Sequence, residues 1–274
     1  MMILSDCHTH TKYCDGKNTA EEMILSAIEK GFSSIGISSH SPVTGGLDWC
    51  MNKNDVDSYI DEIRSLQKKY EGKIQVYCGI ELDNNFEGID LEKFDYSLGS
   101  VHQFRHGGKI YDVDYSPEMT KALTDEIFGG DYNKMAKAYF EKLRDFVIST
   151  DVDVVGHFDL ITKYNENDCL FDTTNDEYRA SALNAIDEIL KVKPDIIFEV
   201  NTGAMFRCGN SQPYPSYFIL EYLFKRGARI TVTGDCHSCQ SLTYGYDSAV
   251  SLCKKAGFEK AYILLNGSFT QVDL

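Results

Sequence analysis

The feature that most constrains this chain is an alternation of short β-type runs with amphipathic helical runs, carried along all 274 residues. Strands are expected over residues 2–7, 33–39, 73–82, 94–102, 152–157, 195–201 and 229–235, each a short apolar or β-branched run. Helical periodicity fills the gaps. Thr19 with Glu22 three residues on makes a capping box, Met23, Ile24, Ala27 and Ile28 follow at helical spacing, and Gly31 stops the run. Asn54 is expected to cap a second helix to about Tyr70, with Val56, Ile60, Ile63 and Leu66 on one face. Further helices are expected over 131–149, 175–192, 217–226 and 247–256, before a closing segment at 261–265. Each helix returns the chain to the same end of the next strand, so the strands should be parallel, in a closed barrel or an open doubly wound sheet. No linker, composition break, low-complexity tract or repeat interrupts the pattern, and a single domain over 1–274 is expected. One stretch fits no unit. Residues 103–130, with Gly107-Gly108 and many Asp and Tyr, are expected as a long loop that is functional or partly disordered.

The chemistry-bearing residues follow this alternation. Asp6-Cys7-His8-Thr9-His10 closes the first strand, and residues two apart on a strand share a face, so His8 and His10 can chelate one ion. Cys7 points to the opposite face and belongs to the core, and Cys236 is expected in the core likewise. A lone His-x-His is an ordinary strand end; its company changes its meaning. His40, His102, His157 and His237 also close expected strands, as do Glu81 and Asp235, while His106 is expected on the surface. In a βα barrel the C-terminal strand ends form one face, and that face carries the site. One buried imidazole is usually a hydrogen-bonded core residue. Several massed together need partners that metals or carboxylates supply.

Composition narrows the function classes. A net charge of −15 repels phosphate backbones and argues against nucleic acid as a main partner, and Lys and Arg cluster no further than scattered pairs such as Lys68-Lys69 and Lys225-Arg226. No run approaches the length of a membrane span and no basic-then-apolar leader is present, so a cytoplasmic protein without membrane association is expected. The nine cysteines are dispersed, as reduced thiols would be, and Cys236-His237-Ser238-Cys239 lacks the second pair of a zinc site.

Taken together, these motifs resemble the polymerase and histidinol phosphatase (PHP) family of metal-dependent phosphoesterases. Asp6-Cys7-His8-Thr9-His10-Thr11 is similar to its opening block, and Asp15-Gly16 followed by Gly31 to His40 to its second. Glu81, Gly99-Ser100-Val101-His102, Gly156-His157-Phe158-Asp159 and Gly234-Asp235-Cys236-His237 match the remaining blocks in order. The segment Glu199-Val200-Asn201-Thr202-Gly203 to Arg207, followed by Tyr214-Pro215, most resembles the histidinol-phosphate phosphatases of histidine biosynthesis. Ser38-Ser39 before His40, where the family often has an acid, and the stretch 103–130 depart from the pattern.

The resemblance implies an α/β fold, a distorted (β/α)7 TIM-like barrel, holding three divalent metal ions (Zn, Mn or Fe). His8, His10, Glu81 and Asp235 would bind the first; Glu81, His102 and His157 the second; Asp15, His40 and His237 the third. Imidazole and carboxylate donors without thiolate suit those metals. Three dications against three carboxylates and a bridging hydroxide leave a surplus of positive charge, which complements a small phosphate monoester. The expected reaction is attack of that hydroxide on phosphorus, with Asp235 and His237 catalytic and Asp235 a candidate proton donor to the leaving alkoxide. Arg207 is the leading phosphate contact, since a guanidinium forks onto phosphate oxygens, and Lys163 and Arg105 are further candidates. Each of these bases could equally be a solvated loop residue. Asp112 and Asp114 could meet a cationic amino group such as that of histidinol, though surface acidity explains them as well. The function implied is hydrolysis of L-histidinol phosphate to L-histidinol and phosphate. A different phosphate ester, or a non-catalytic metal-binding module, is the alternative.

Overall fold

A computed structural model of the chain describes residues 4–274. The first half contains β1 (Ser5–Asp6), α1 (Ala20–Glu29), β2 (Ser34–Ile37), α2 (Val56–Lys69), β3 (Gln75–Asp83) and β4 (Tyr96–Ser100). A hairpin of β5 (Gln103–His106) and β6 (Lys109–Asp112) follows, then α3 (Pro117–Phe128) and α4 (Tyr132–Ser149). The second half contains β7 (Val154–Val155), α5 (Asp176–Val192), β8 (Ile197–Asn201), α6 (Gly203–Arg207), α7 (Tyr217–Lys225), β9 (Arg229–Thr233) and α8 (Tyr246–Ala256). A final hairpin pairs β10 (Lys260–Leu265) with β11 (Ser268–Asp273).

Seven parallel strands stand in the order β1-β2-β3-β4-β7-β8-β9. The ring closes beyond the ends of β1 and β9, where the His10 N–H donates to the Cys236 carbonyl (2.8 Å) and the Cys236 N–H to the His8 carbonyl (3.0 Å). This is the distorted (β/α)7 barrel expected from the sequence. The distortion lies in β1 and β7, which pair over only two residues each.

The barrel is apolar at one end and polar at the other. Cys7, Tyr77, Tyr96, Leu98, Val154, Ile197 and Leu264 pack into one buried cluster. The β10–β11 hairpin covers the N-terminal strand ends, where the Asn266 N–H donates to Gln75 Oε1 (2.6 Å). Full burial of each such aliphatic or aromatic side chain contributes about 1.5–3 kcal/mol, so the plug anchors the barrel from below. The functional face is left to the opposite end.

Local signals account for much of this. Thr19 and Glu22 form the capping box at the start of α1. The second helix begins differently from expectation. Asn52, not Asn54, makes the cap, to a short 3₁₀ turn that runs into α2, because the Asn52 side chain reaches the Asn54 N–H. The expected 2–7 strand pairs only over β1, and its first residues, 2 and 3, lie outside the described residues.

The stretch 103–130 is not an unstructured loop. Gly107 (φ 56°) and Gly108 (φ 80°) form the two-residue turn between β5 and β6, a left-handed geometry that suits the twist of a hairpin. Ser116 then caps α3, with Pro117 in its first turn and left-handed Gly129 at its end. The exposed polar faces of these elements mask their periodicity in the sequence.

Candidate metal centre

Except at β3 and β8, the expected strands overrun the ladders by one or two residues at their C-terminal ends. There the backbone leaves the sheet and aims its side chains inward. Glu81, near the C-terminal end of β3, is the hub. It is buried (1 % exposed), and five imidazoles surround its carboxylate. Oε2 lies 3.1 Å from His8 Nε2, 3.5 Å from His10 Nε2 and 2.8 Å from His40 Nδ1. Oε1 lies 3.0 Å from His157 Nε2 and 3.6 Å from His102 Nε2, and it accepts from Ser100 Oγ at 2.7 Å.

The neighbouring atoms fall into three groups. His8 and His10 also approach Asp235 Oδ1, at 3.8 and 3.2 Å. His102 Nε2 and His157 Nε2 are 3.2 Å apart beside Glu81. Asp15 Oδ1 is 3.2 Å from His237 Nε2 and 3.8 Å from His40 Nε2. The structure therefore brings together all nine residues expected as ligands. His10 and His40 each stand between two groups: His10 also lies close to Asp15, His40 and His237, and His40 also lies close to Glu81 and His102.

Electrostatics and hydrogen bonding bear on what this cluster can hold. Burial pushes the Glu81 carboxyl up, but His8, His40 and His102 outweigh it and hold it well below the usual carboxylate range. Burial opposes charge on His8, yet Glu199, Glu81 and Asp235 raise it well above the ordinary imidazole range. His10 moves the other way, lowered by burial and by His237 and His40. His8 Nε2, His10 Nε2, His40 Nδ1 and Glu81 Oε2 are all buried without a hydrogen-bond partner. Unpaired buried donors and acceptors are costly, and convergent imidazole and carboxylate lone pairs repel unless a cation sits among them. A nitrogen–oxygen donor set without thiolate fits Zn²⁺, Mn²⁺ or Fe²⁺.

Asp235 stands at the edge of the cluster in a left-handed conformation (φ 46°), unusual for a residue with a side chain. Arg207 of α6 holds it there, with Nη2 2.8 Å from Asp235 Oδ2 and Nη1 donating to its carbonyl at 2.6 Å. Burial favours the protonated acid, but Arg207 and then His8 keep Asp235 well below the usual range, and hence ionised. Gly203 makes this approach possible. A Cβ there would sit 2.9 Å from Arg207 Nη2 and from Asp235 Oδ2, and 3.0 Å from Asp235 Cβ.

A cavity of about 240 Å³ opens over the cluster. Arg207 and Lys163 stand in its wall, as do Asp112 and Asp114, with Trp49 and Tyr115. Lys163 Nζ is 2.9 Å from Asp114 Oδ2, and Asp112 Oδ1 is buried with no partner. Arg105 is not brought here. It is exposed on β5, donating to the Thr44 carbonyl (2.6 Å) and to Gln103 Oε1 (2.8 Å), and does not line the cavity. His106 is exposed at the hairpin end, as expected.

Three carboxylates escape a reading of strand ends. Glu199 of β8 faces His8, Asp83 accepts from the His102 N–H (3.0 Å), and Asp6 accepts from the His8 and Gly234 N–H groups (2.9 and 3.0 Å). Burial pushes the Asp6 carboxyl up to about 7. The available signal for Glu199 is its position on β8, two residues before Asn201 and so on the same face. Ser38 and Ser39 contact the segment that follows β1, through Thr9 N (3.2 Å) and Thr11 Oγ1 (3.0 Å).

Comparison with known proteins agrees with this architecture. A Schizosaccharomyces pombe protein described as a "probable histidinol-phosphatase" is 28% identical over 97% of this chain and 90% of its own length. A solved structure from Listeria monocytogenes superposes with a TM-score of 0.75 at 24% identity, covering 89% of this chain and 99% of that one. The histidinol phosphate phosphatase of Lactococcus lactis, solved with zinc, L-histidinol and phosphate, gives a TM-score of 0.66 at 21% identity, over 98% of this chain and 100% of that one. Among the described residues no helix is long and apolar enough to cross a membrane. The PHP domain model matches residues 6–203, well over half of the sequence, and the chain belongs to the PHP family.

Proposed function

We propose that this protein is a metal-dependent phosphomonoesterase that hydrolyses L-histidinol phosphate to L-histidinol and phosphate. The observation that carries the reading is the cavity itself: a floor of imidazoles around Glu81, with Arg207 and Lys163 in the same wall. The relatives named for this activity span nearly the whole chain, which supports the choice of substrate.

His8, His10, Glu81 and Asp235 would hold one divalent ion, Glu81 with His102 and His157 a second, and Asp15 with His40 and His237 a third. Bound there, such ions supply Lewis acidity toward phosphoryl oxygens and activate water as a nucleophile at neutral pH. The chain's own groups do the rest. Arg207, in the cavity wall, is the group we assign to the phosphate, and Lys163 adds a second positive charge. Asp235 is ionised, so it can give the leaving alkoxide only a proton it has first accepted. We assign its carboxylate a relay role, taking the proton of the attacking water and passing it on, with His237 beside it (Nδ1 at 3.5 Å from Oδ1). Asp112, whose buried Oδ1 lacks a partner, is the group we assign to the substrate's ammonium. Residues 1–274 would act as one cytoplasmic catalytic unit.

A phosphate-release assay tests this. The full chain is stripped with chelator, metals are titrated back, and histidinol phosphate is compared with phosphotyrosine, nucleotide and sugar phosphates. Turnover of histidinol phosphate far above the others, restored by metal, is expected. A flat profile would overturn the substrate, and metal uptake without turnover would overturn the enzyme reading.

A further inference from the structure

We propose that Glu199 is a positioning residue that fixes which ring nitrogen of His8 carries a proton, so that His8 offers Nε2 to a divalent cation. This rests on the reading of the cluster as metal-binding.

Glu199 is fully buried (0 % exposed), and four groups converge on its carboxylate. Oε1 lies 2.5 Å from His8 Nδ1 and accepts from Thr233 Oγ1 at 2.6 Å. Oε2 accepts from the His157 N–H at 2.6 Å and from Asn201 Nδ2 at 2.9 Å. An ionised carboxylate can only accept, so His8 Nδ1 must be a donor. With Nδ1 held as the donor, Nε2, which faces Glu81 Oε2 at 3.1 Å, is the nitrogen whose proton a cation displaces and whose lone pair it takes. A carboxylate behind a histidine ligand fixes its ring orientation and raises its basicity. Here one carboxylate also ties together three strand ends, through His8 after β1, His157 after β7 and Thr233 of β9.

The surroundings make the isosteric amide a sharp probe. His157 contributes a backbone N–H, which can never accept. Asn201 cannot flip, because its Oδ1 accepts from the Gly203 N–H at 2.8 Å. In Glu199→Gln the amide oxygen must therefore take the place of Oε2, and the NH₂ group the place of Oε1. Thr233 can turn its hydroxyl to accept. His8 Nδ1 must also accept, which moves the ring proton to Nε2 and withdraws that lone pair from the site. Volume and hydrogen-bond count are preserved while the tautomer reverses.

The experiment uses the full chain, stripped with chelator and titrated with zinc against a chromophoric competitor. Glu199→Gln should weaken zinc binding at one site about 10–100-fold with folding retained. Thr233→Val, which removes a bond to Glu199 but leaves its contact with His8, should bind zinc as the wild type does. In zinc-loaded, ¹⁵N-histidine-labelled wild type, His8 should show a protonated Nδ1 and a zinc-bound Nε2. Wild-type affinity in Glu199→Gln, an equal loss in Thr233→Val, or zinc on Nδ1 would each overturn the assignment. The wild-type spectrum decides the matter if Glu199→Gln does not fold. A wild-type chain that takes up no zinc overturns the metal reading itself, and this inference with it.

Discussion

Replacing Arg207 by methionine separates two jobs that one guanidinium does at once. Arg207 is the only permanently charged cation that contacts Asp235 among the described residues; its other ion-pair neighbours are His8, His10 and His237. Removing one partner of a buried ion pair costs about 3–5 kcal/mol when the other charge is left uncompensated. The Arg207 side chain keeps 26% of its exposure, so solvent recovers part of that cost. We take the low end, about 3 kcal/mol. The figure applies to the chelated protein. With divalent ions beside Asp235 the carboxylate keeps its counter-charge, and the loss should shrink to about 1 kcal/mol or less. At about 2 °C per kcal/mol for a chain of this size, Arg207→Met should lower Tm by about 6 °C in chelator and by about 2 °C or less in zinc. Kinetics report the second job. Losing charge-assisted hydrogen bonds to phosphate, worth about 1.5–3 kcal/mol, should raise KM for histidinol phosphate about 10–150-fold. Arg207→Lys should recover most of the stability and little of the KM, because an ammonium lacks the fork. Equal Tm losses in both metal states would refute the pairing argument, and an unchanged KM would refute the phosphate contact.

Asp235→Asn removes the proton relay and should lower kcat by about 10²–10⁴-fold in phosphate-release assays, and near-normal turnover would rule that role out. Burial, helped by the charge of Asp114, pushes Asp112 up to about 6, so its carboxylate is charged above that pH and neutral below it. If it holds the substrate's ammonium, KM should fall as pH rises through about 6, and Asp112→Asn should leave only the titration of the substrate's own phosphate, whose second pKa is also about 6; identical KM–pH profiles would count against the contact. Gly203→Ala places a Cβ against the Asp235 Cβ, which cannot swing away as the Arg207 tip can, so kcat/KM should drop by at least about tenfold and the chelated Tm should fall as well. An unchanged kcat/KM would show that α6 yields at no cost to the site.

The parallel βα order and the gathering of the ligand-type residues are legible in the sequence because both depend on local periodicity. Period-two runs mark strands and period-3.6 runs mark the helices between them, and chirality turns that alternation into a parallel sheet, which the family resemblance implies is closed. Once the strands are parallel, a residue at the end of one, such as His157, must share a face with the end of another, such as Asp235. Hairpins are legible in principle too. Asn266-Gly267, both with positive φ, is a strong two-residue turn signal between β10 and β11, as Gly107-Gly108 is between β5 and β6. The second of these strands, β11, is half-exposed, and its weak alternation is easily passed over.

Burial and long-range pairing are harder to read. Arg105, Lys163 and Arg207 all look alike in the sequence, as basic residues shortly after a strand. Only the packed chain separates them, by tying Arg105 to the Thr44 carbonyl while Lys163 and Arg207 turn into the cavity. The sequence pattern determines a parallel βα sheet with histidines and carboxylates at its C-terminal ends, because strand alternation and handedness are local rules. The tertiary structure decides that Glu81 is the hub, that Arg207 pins Asp235 and that Glu199 stands behind His8. Those are contacts between residues dozens to nearly two hundred positions apart, chosen by side-chain direction and burial, which no local pattern encodes.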